Sequence, residues 1–161
     1  MTIARIDNDA IAETRSDLTI ADVPAHKRAR WRPIEGDQPA HDPRVETISG
    51  PVLVIEPDRV VRQWTVQRRP DAELAGLVKM EARRRILERF PEWKQTNMTA
   101  RGVELQDVWR QVGSWTVGEQ TEADALAVAW DWIKAVRVAS DAIEAMQPIP
   151  ADFADNARWP A

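Results

Sequence analysis

Two histidines, His26 and His41, are the only side chains in this sequence whose ordinary pKa suits them to act as a general base near neutral pH. Neither stands in an HxxxH or HxxE spacing that would bring a second metal ligand to the same helix face, and both lie in polar, proline-flanked segments. Cysteine is absent, which removes thiolate zinc sites, disulfides and cysteine nucleophiles. Asp152 with Asp155, and Glu35 with Asp37, are carboxylate pairs by spacing, but 26 acidic residues in 161 make such neighbours ordinary. No glycine-rich phosphate loop, GxSxG elbow or HExxH helix occurs. The expectation is a protein that is not an enzyme, with no catalytic, cofactor-binding or metal-binding residue.

Binding chemistry is better represented. Eight tryptophans occur with no tyrosine and only two phenylalanines. Tryptophan is large, stiff and amphipathic, so it serves both small cores and interface centres. Lys27, Arg28, Arg30 and Arg32 surround Trp31, a pattern that could stack on and neutralise single-stranded nucleic acid. The net charge of −4 opposes that reading, because such affinity comes mainly from an excess of Lys and Arg against phosphate. Nucleic acid is therefore not an expected partner, and the cluster reads as a solvated face that pairs with acidic neighbours.

The elements that must position these groups divide the chain in two. Ile3 and Ile6, the Asp7-Asn8-Asp9 cluster and Ile11–Thr14 read as a short hairpin. From Arg32 to Pro51 the density of Pro, Gly and Asp reads as an extended connector. Val52–Ile55, the turn Glu56-Pro57-Asp58-Arg59 and Val60–Val66 form a second hairpin, with Trp64 on the face of Val60 and Val66.

After Pro70, Leu74, Val78, Ala82, Ile86 and Phe90 recur every four residues, an amphipathic helix whose other face carries Lys79, Arg83, Arg84, Arg85 and Arg89. That basic face reads as solvated rather than as a binding motif. Pro91 predicts a break, and a second helix follows from about Glu92 to Val112. Thr121 with Asp124 resembles a cap for a last helix over about Glu122–Met146. Its stripe Ala125, Ala129, Trp132, Val136, Ala139, Ile143 and Met146 has alternating spacings of four and three. Such a stripe serves either an antiparallel hairpin with the preceding helix or self-association, and the two can coexist.

Pro148 and Pro150 end that helix, and Phe153 and Trp159 look like the anchors of a docking arm. The fold class is thus α+β: short N-terminal β-hairpins with a proline-rich connector, then a C-terminal helical hairpin or three-helix region. The expected divisions are 1–69, 70–147 and a C-terminal arm, 148–161. Trp132, Val136 and Ile143 are the expected helical interface, Phe153 and Trp159 the arm's contacts, and Trp64 a further one.

Several stretches resemble a known group. Ala4-Arg5-Ile6-Asp7-Asn8-Asp9-Ala10-Ile11-Ala12-Glu13, then Trp31-Arg32-Pro33, then Gly50-Pro51-Val52 through Trp64-Thr65-Val66, are similar to the front module of small tail and tail-fibre-associated proteins of tailed bacteriophages. Phe90-Pro91-Glu92-Trp93-Lys94-Gln95 and Asn97-Met98-Thr99-Ala100-Arg101 resemble the helical part of phage tail proteins. The resemblance covers most of the chain, rests on structural rather than catalytic motifs, and carries over no site residue. Glycine-rich repeats and solenoid periodicity are lacking, so the chain is not itself a fibre shaft. The resemblance implies a structural or adaptor component of a tail tip or fibre, bound to other tail proteins and to copies of itself. The alternative it leaves is a fibre-assembly chaperone absent from the mature particle; a small hydrolase or a nucleic-acid-binding protein are the remaining readings.

Met1–Asp7 lacks the apolar run of a signal peptide, and no stretch has the ~20 apolar residues of a membrane span. The chain is expected to be made and kept in the host cytoplasm unless it leaves in the virion, and a membrane is not an expected partner.

Overall fold

The structure, a computed structural model, describes residues 1–161, which form two compact units, Met1–Arg69 and Pro70–Ala161. The first unit is a five-stranded sheet and the second is helical, so the fold is α+β with C-terminal helices.

In the sheet unit, β1 (Thr2–Asp7) and β2 (Ala10–Arg15) pair antiparallel around Asn8 and Asp9, both at positive φ. Asn and Asp tolerate that conformation better than other side chains, which is why this pair can make a two-residue turn. β3 (Trp31–Glu35) lies on the other side of β1, and β4 (Glu46–Ile55) and β5 (Val60–Arg68) complete the order β2-β1-β3-β5-β4. Ala4, Ile34 and Val60 from three different strands form a buried cluster, joined by Ile6, Ile11, Leu53 and Ile55.

The proline-rich stretch is more than a connector. Its first residues form β3, antiparallel to β1 and parallel to β5, and β4 begins at Glu46 rather than Val52. Gly50 and Pro51 are absorbed as an irregularity between Ser49 and Val52. Gly50 has φ +112°, and a Cβ there would lie 2.8 Å from the Gln63 carbonyl oxygen. Glycine is the residue that both the conformation and the close approach admit.

In the helical unit, α1 (Asp71–Arg89) and α2 (Glu92–Val112) flank the break at Pro91, and α3 (Val117–Glu144) returns alongside them. At the break Gln95 Nε2 donates to the Phe90 carbonyl at 2.7 Å, and the Pro91 carbonyl starts the α2 ladder by accepting from the Lys94 and Gln95 amides. α3 starts earlier than Thr121 and Asp124 suggest. Its cap is Thr116 with Glu119, each side chain bonded to the other's backbone amide. Thr121 instead bonds back to the Val117 carbonyl and Asp124 accepts from Gln120, so both are interior helix residues.

Cross-links step down α3 as they step up α1 and α2: Lys79 to Glu144 at 3.2 Å, the Phe90 ring to the Trp132 ring at 5.7 Å, and Arg101 to Glu122 at 2.6 Å. α1 and α2 therefore run as one broken rod antiparallel to α3. No helix is long and apolar enough to cross a membrane.

Candidate functional site

The interface residues expected from the sequence divide between the two units: Trp132, Val136, Ile143, Phe153 and Trp159 lie in the helical unit and Trp64 in the sheet unit. Val136 is 0% exposed and Ile143 2%, with Ile133 beside them, in the seam against α1. They hold the chain's own hairpin and offer no surface to a partner, which corrects their assignment to an intermolecular interface. The physical reason is that α1 already supplies the complementary stripe Leu74, Val78, Ala82 and Ile86.

Phe153 and Trp159, 4% and 6% exposed, are likewise seated on their own chain. The arm turns at Phe153 and Asp155, runs through a short 3₁₀ turn at Asn156–Arg158, and is braced by the Trp159 indole donating to the Phe153 carbonyl at 2.7 Å. Asp152 closes the turn through Arg158, with 2.7 Å between them. Asp152 thus has a part in holding the arm's turn.

Arg85 and Arg89, read from the sequence as part of a solvated face, hold this arm. Arg85 donates to the Ala154 carbonyl at 2.8 Å and to Asn156 Oδ1 at 3.0 Å, while its guanidinium lies 5.1 Å from the Trp159 ring centroid. Glu81 orients it from below, accepting from Arg85 Nε at 2.7 Å. Hydrogen bonding from Arg84 foremost holds the Glu81 carboxylate below its ordinary pKa, against the opposing pull of partial burial. Arg89 donates to the Ala161 carbonyl and lies 4.6 Å over the Trp132 ring, whose own N–H reaches the same carbonyl. Trp132 is the one residue of the expected helical interface that remains part-exposed, and its polar edge is committed to the arm.

The basic cluster near Trp31 is largely used in building its loop. Arg28 donates to the carbonyls of Val23 and Ala21, and Arg32 to that of Ala29, each at 2.8 Å. Arg30 pairs with Asp7 at 3.5 Å. His26 lines a cleft of about 520 Å³ with Arg5, Glu13, Lys27, Arg30 and Trp31, a lining that holds no hydroxyl or thiol. No group of three or more His, Asp or Glu side chains is placed to hold a metal ion. Trp64 is half-buried in β5, with its indole nitrogen enclosed and without a hydrogen-bond partner.

The feature that sequence reasoning missed is the far end of the helical unit, where α2 turns into α3. Trp109 and Trp115 pack ring against ring, 5.1 Å between centroids, and the Trp115 indole donates to the Leu105 carbonyl at 2.8 Å. Around them Trp109 is 49% exposed, Val112 69% and Val117 87%. Met98, Leu105, Trp109 and Val112 form one sparse apolar edge of α2, buried at the first two and exposed at the last two, and that edge was the available signal. Large apolar side chains are thus left exposed on both helices next to the turn that joins them. The chain was compared with protein-family models, with curated proteins and with solved structures, and it matches none of them.

Proposed function

We propose that the chain is a structural or adaptor component of a phage tail tip or tail fibre, acting by protein–protein binding in virion assembly or host attachment. The observation that carries a binding role is the exposure of Trp109, Val112 and Val117 on either side of the α2–α3 turn. A rigid helical hairpin that ends in solvent-facing tryptophan and valine presents the kind of anchor on which interface energy concentrates. The assignment of that role to a tail rests on the resemblance carried by the Trp31-Arg32-Pro33 element, the Gly50–Val66 hairpin and the Phe90–Arg101 stretch. In this reading the partners are other tail proteins, with further copies of the chain as a second class of partner. The net charge of −4 argues against nucleic acid as one of them.

The test is quantitative mass spectrometry of purified particles from an infected or induced host. A fixed number of copies per particle, lost when Trp109 and Val117 are replaced by serine, supports the adaptor reading. Finding the chain with fibre protein in the lysate but not in finished particles supports the assembly chaperone instead. A chain that co-fractionates with no tail or fibre protein in either sample would sink both.

A further inference from the structure

The C-terminal arm shows what this helical hairpin binds along one of its grooves. It places Ile149, Phe153 and Trp159, each at most 6% exposed, against the helices, and side-chain donors from α1 take its carbonyls. Along the arm the Ala161 carbonyl is held by Trp132 at 2.9 Å. Trp132 in turn packs on Phe90, and Phe90 also lines a second, open groove of about 360 Å³ between α2 and α3.

The open groove repeats the chemistry of the filled one. Its apolar lining is Phe90, Met98, Ala125, Leu126 and Ala129, and its charged lining is Lys94, Arg101 and Glu122. Arg101 is already paired with Glu104 and Glu122. Lys94 has its ammonium 5.1 Å over the Phe90 ring and no carboxylate against it, in a chain whose net charge is negative. That ammonium is the charge a partner can complement. The volume lies at the small end of ligand pockets, roughly 300–1,000 Å³, and suits a few side chains rather than a whole helix about 10 Å across.

We infer that the groove between α2 and α3 is a docking site for a short, extended, acidic segment of a partner protein, which seats apolar side chains on Phe90, Met98 and Ala129 and sets a carboxylate against Lys94. The segment binds as the chain binds its own arm, by ring and aliphatic anchors with polar groups turned to side-chain donors. This does not rest on the tail reading, because the groove asks for the same chemistry whichever protein supplies the segment.

The probe is a labelled synthetic heptapeptide copying Ile149–Asp155, with blocked ends, two carboxylates and one phenylalanine, titrated against the full chain by fluorescence anisotropy. A copy with both aspartates replaced by lysine is the charge control. Saturable binding of the acidic peptide is expected, weaker by about tenfold for the lysine copy and for Lys94→Glu, the loss of one charge-assisted contact. Ala129→Arg, which fills the groove, is expected to abolish binding, with circular dichroism checking that the helices persist. Lys94→Glu sits at an exposed position and keeps the test decisive if Ala129→Arg does not fold. No saturable binding, equal binding of the two peptides, or binding that survives in folded Ala129→Arg each overturns the assignment; the last would mean that the peptide had displaced the arm from its own seat.

Discussion

Trp132 and Ala161 are joined by a hydrogen bond of 2.9 Å from the indole nitrogen to the backbone carbonyl, across 29 residues of sequence. Arg89 lies over the same indole and donates to the same carbonyl. The middle of the longest helix, the end of the helix before the Pro91 break and the last residue therefore meet at one point. It closes the arm onto the hairpin.

Trp132→Phe keeps an aromatic ring against Phe90 but removes the donor. The expected result is faster amide exchange over residues 156–161 with little change over α1 and α3, at a cost of about 1 kcal/mol, since Arg89 still holds the carbonyl. Hydrogen exchange read by mass spectrometry separates this from a general loosening. Equal deprotection of all three helices would show that Trp132 acts through the core instead.

Trp159→Ala removes the arm's largest anchor, 6% exposed, together with the stacked contact of Arg85. Truncating a buried tryptophan typically costs about 3–5 kcal/mol. In a unit of this size that corresponds to a fall in Tm of more than about 10 °C. Thermal unfolding followed at the helix signal near 222 nm checks it. A shift of about 2 °C or less would mean that the arm is an ornament on an independently stable hairpin.

Glu81 couples the arm to pH. Its folded-state pKa is depressed below the ordinary 4.5, chiefly by hydrogen bonding from Arg84, so the unfolded chain takes up the proton first. The stability it contributes is complete above pH 4.5 and is lost as pH falls through the lower folded value. Glu81→Gln is expected to lower stability at pH 7, by an amount on the order of 1 kcal/mol because the site is only partly buried, and to converge on the parent protein as the medium is acidified below that range. A gap between the two proteins that is the same at pH 3 and pH 7 would exclude this charge as the cause.

Gly50→Ala tests the irregularity in β4. The new methyl would meet the Gln63 carbonyl at 2.8 Å in a conformation that L residues rarely adopt. A loss of roughly 1–3 kcal/mol in the sheet unit is expected, with the helical unit's melting unchanged. Gly102→Ala is the control, since nothing lies within 4 Å of a Cβ there and alanine favours helix. It should be neutral or stabilising by about 0.5–1 kcal/mol.

What could be read from the sequence was what the backbone decides locally. The Asp7-Asn8-Asp9 turn, the turn at Pro57, the break at Pro91 and the four-residue stripe of α1 each follow from torsional preference or from periodicity within one segment. The seam on α3 was legible as a seam, because Trp132, Val136 and Ile143 share one face of one helix.

What occupies each face was a tertiary matter. Trp31–Glu35 becomes a strand inside a proline-rich stretch because β1 supplies its partner from about thirty residues away, and no local propensity announces that pairing. The α3 seam faces inward because α1 presents a complementary stripe to it, and Phe153 and Trp159 sit on their own helices, where Arg85, Arg89 and Trp132 converge from two elements. Periodicity tells which side chains must leave water; only the assembled chain says against what, since burial is non-directional and any complementary apolar surface within reach will serve.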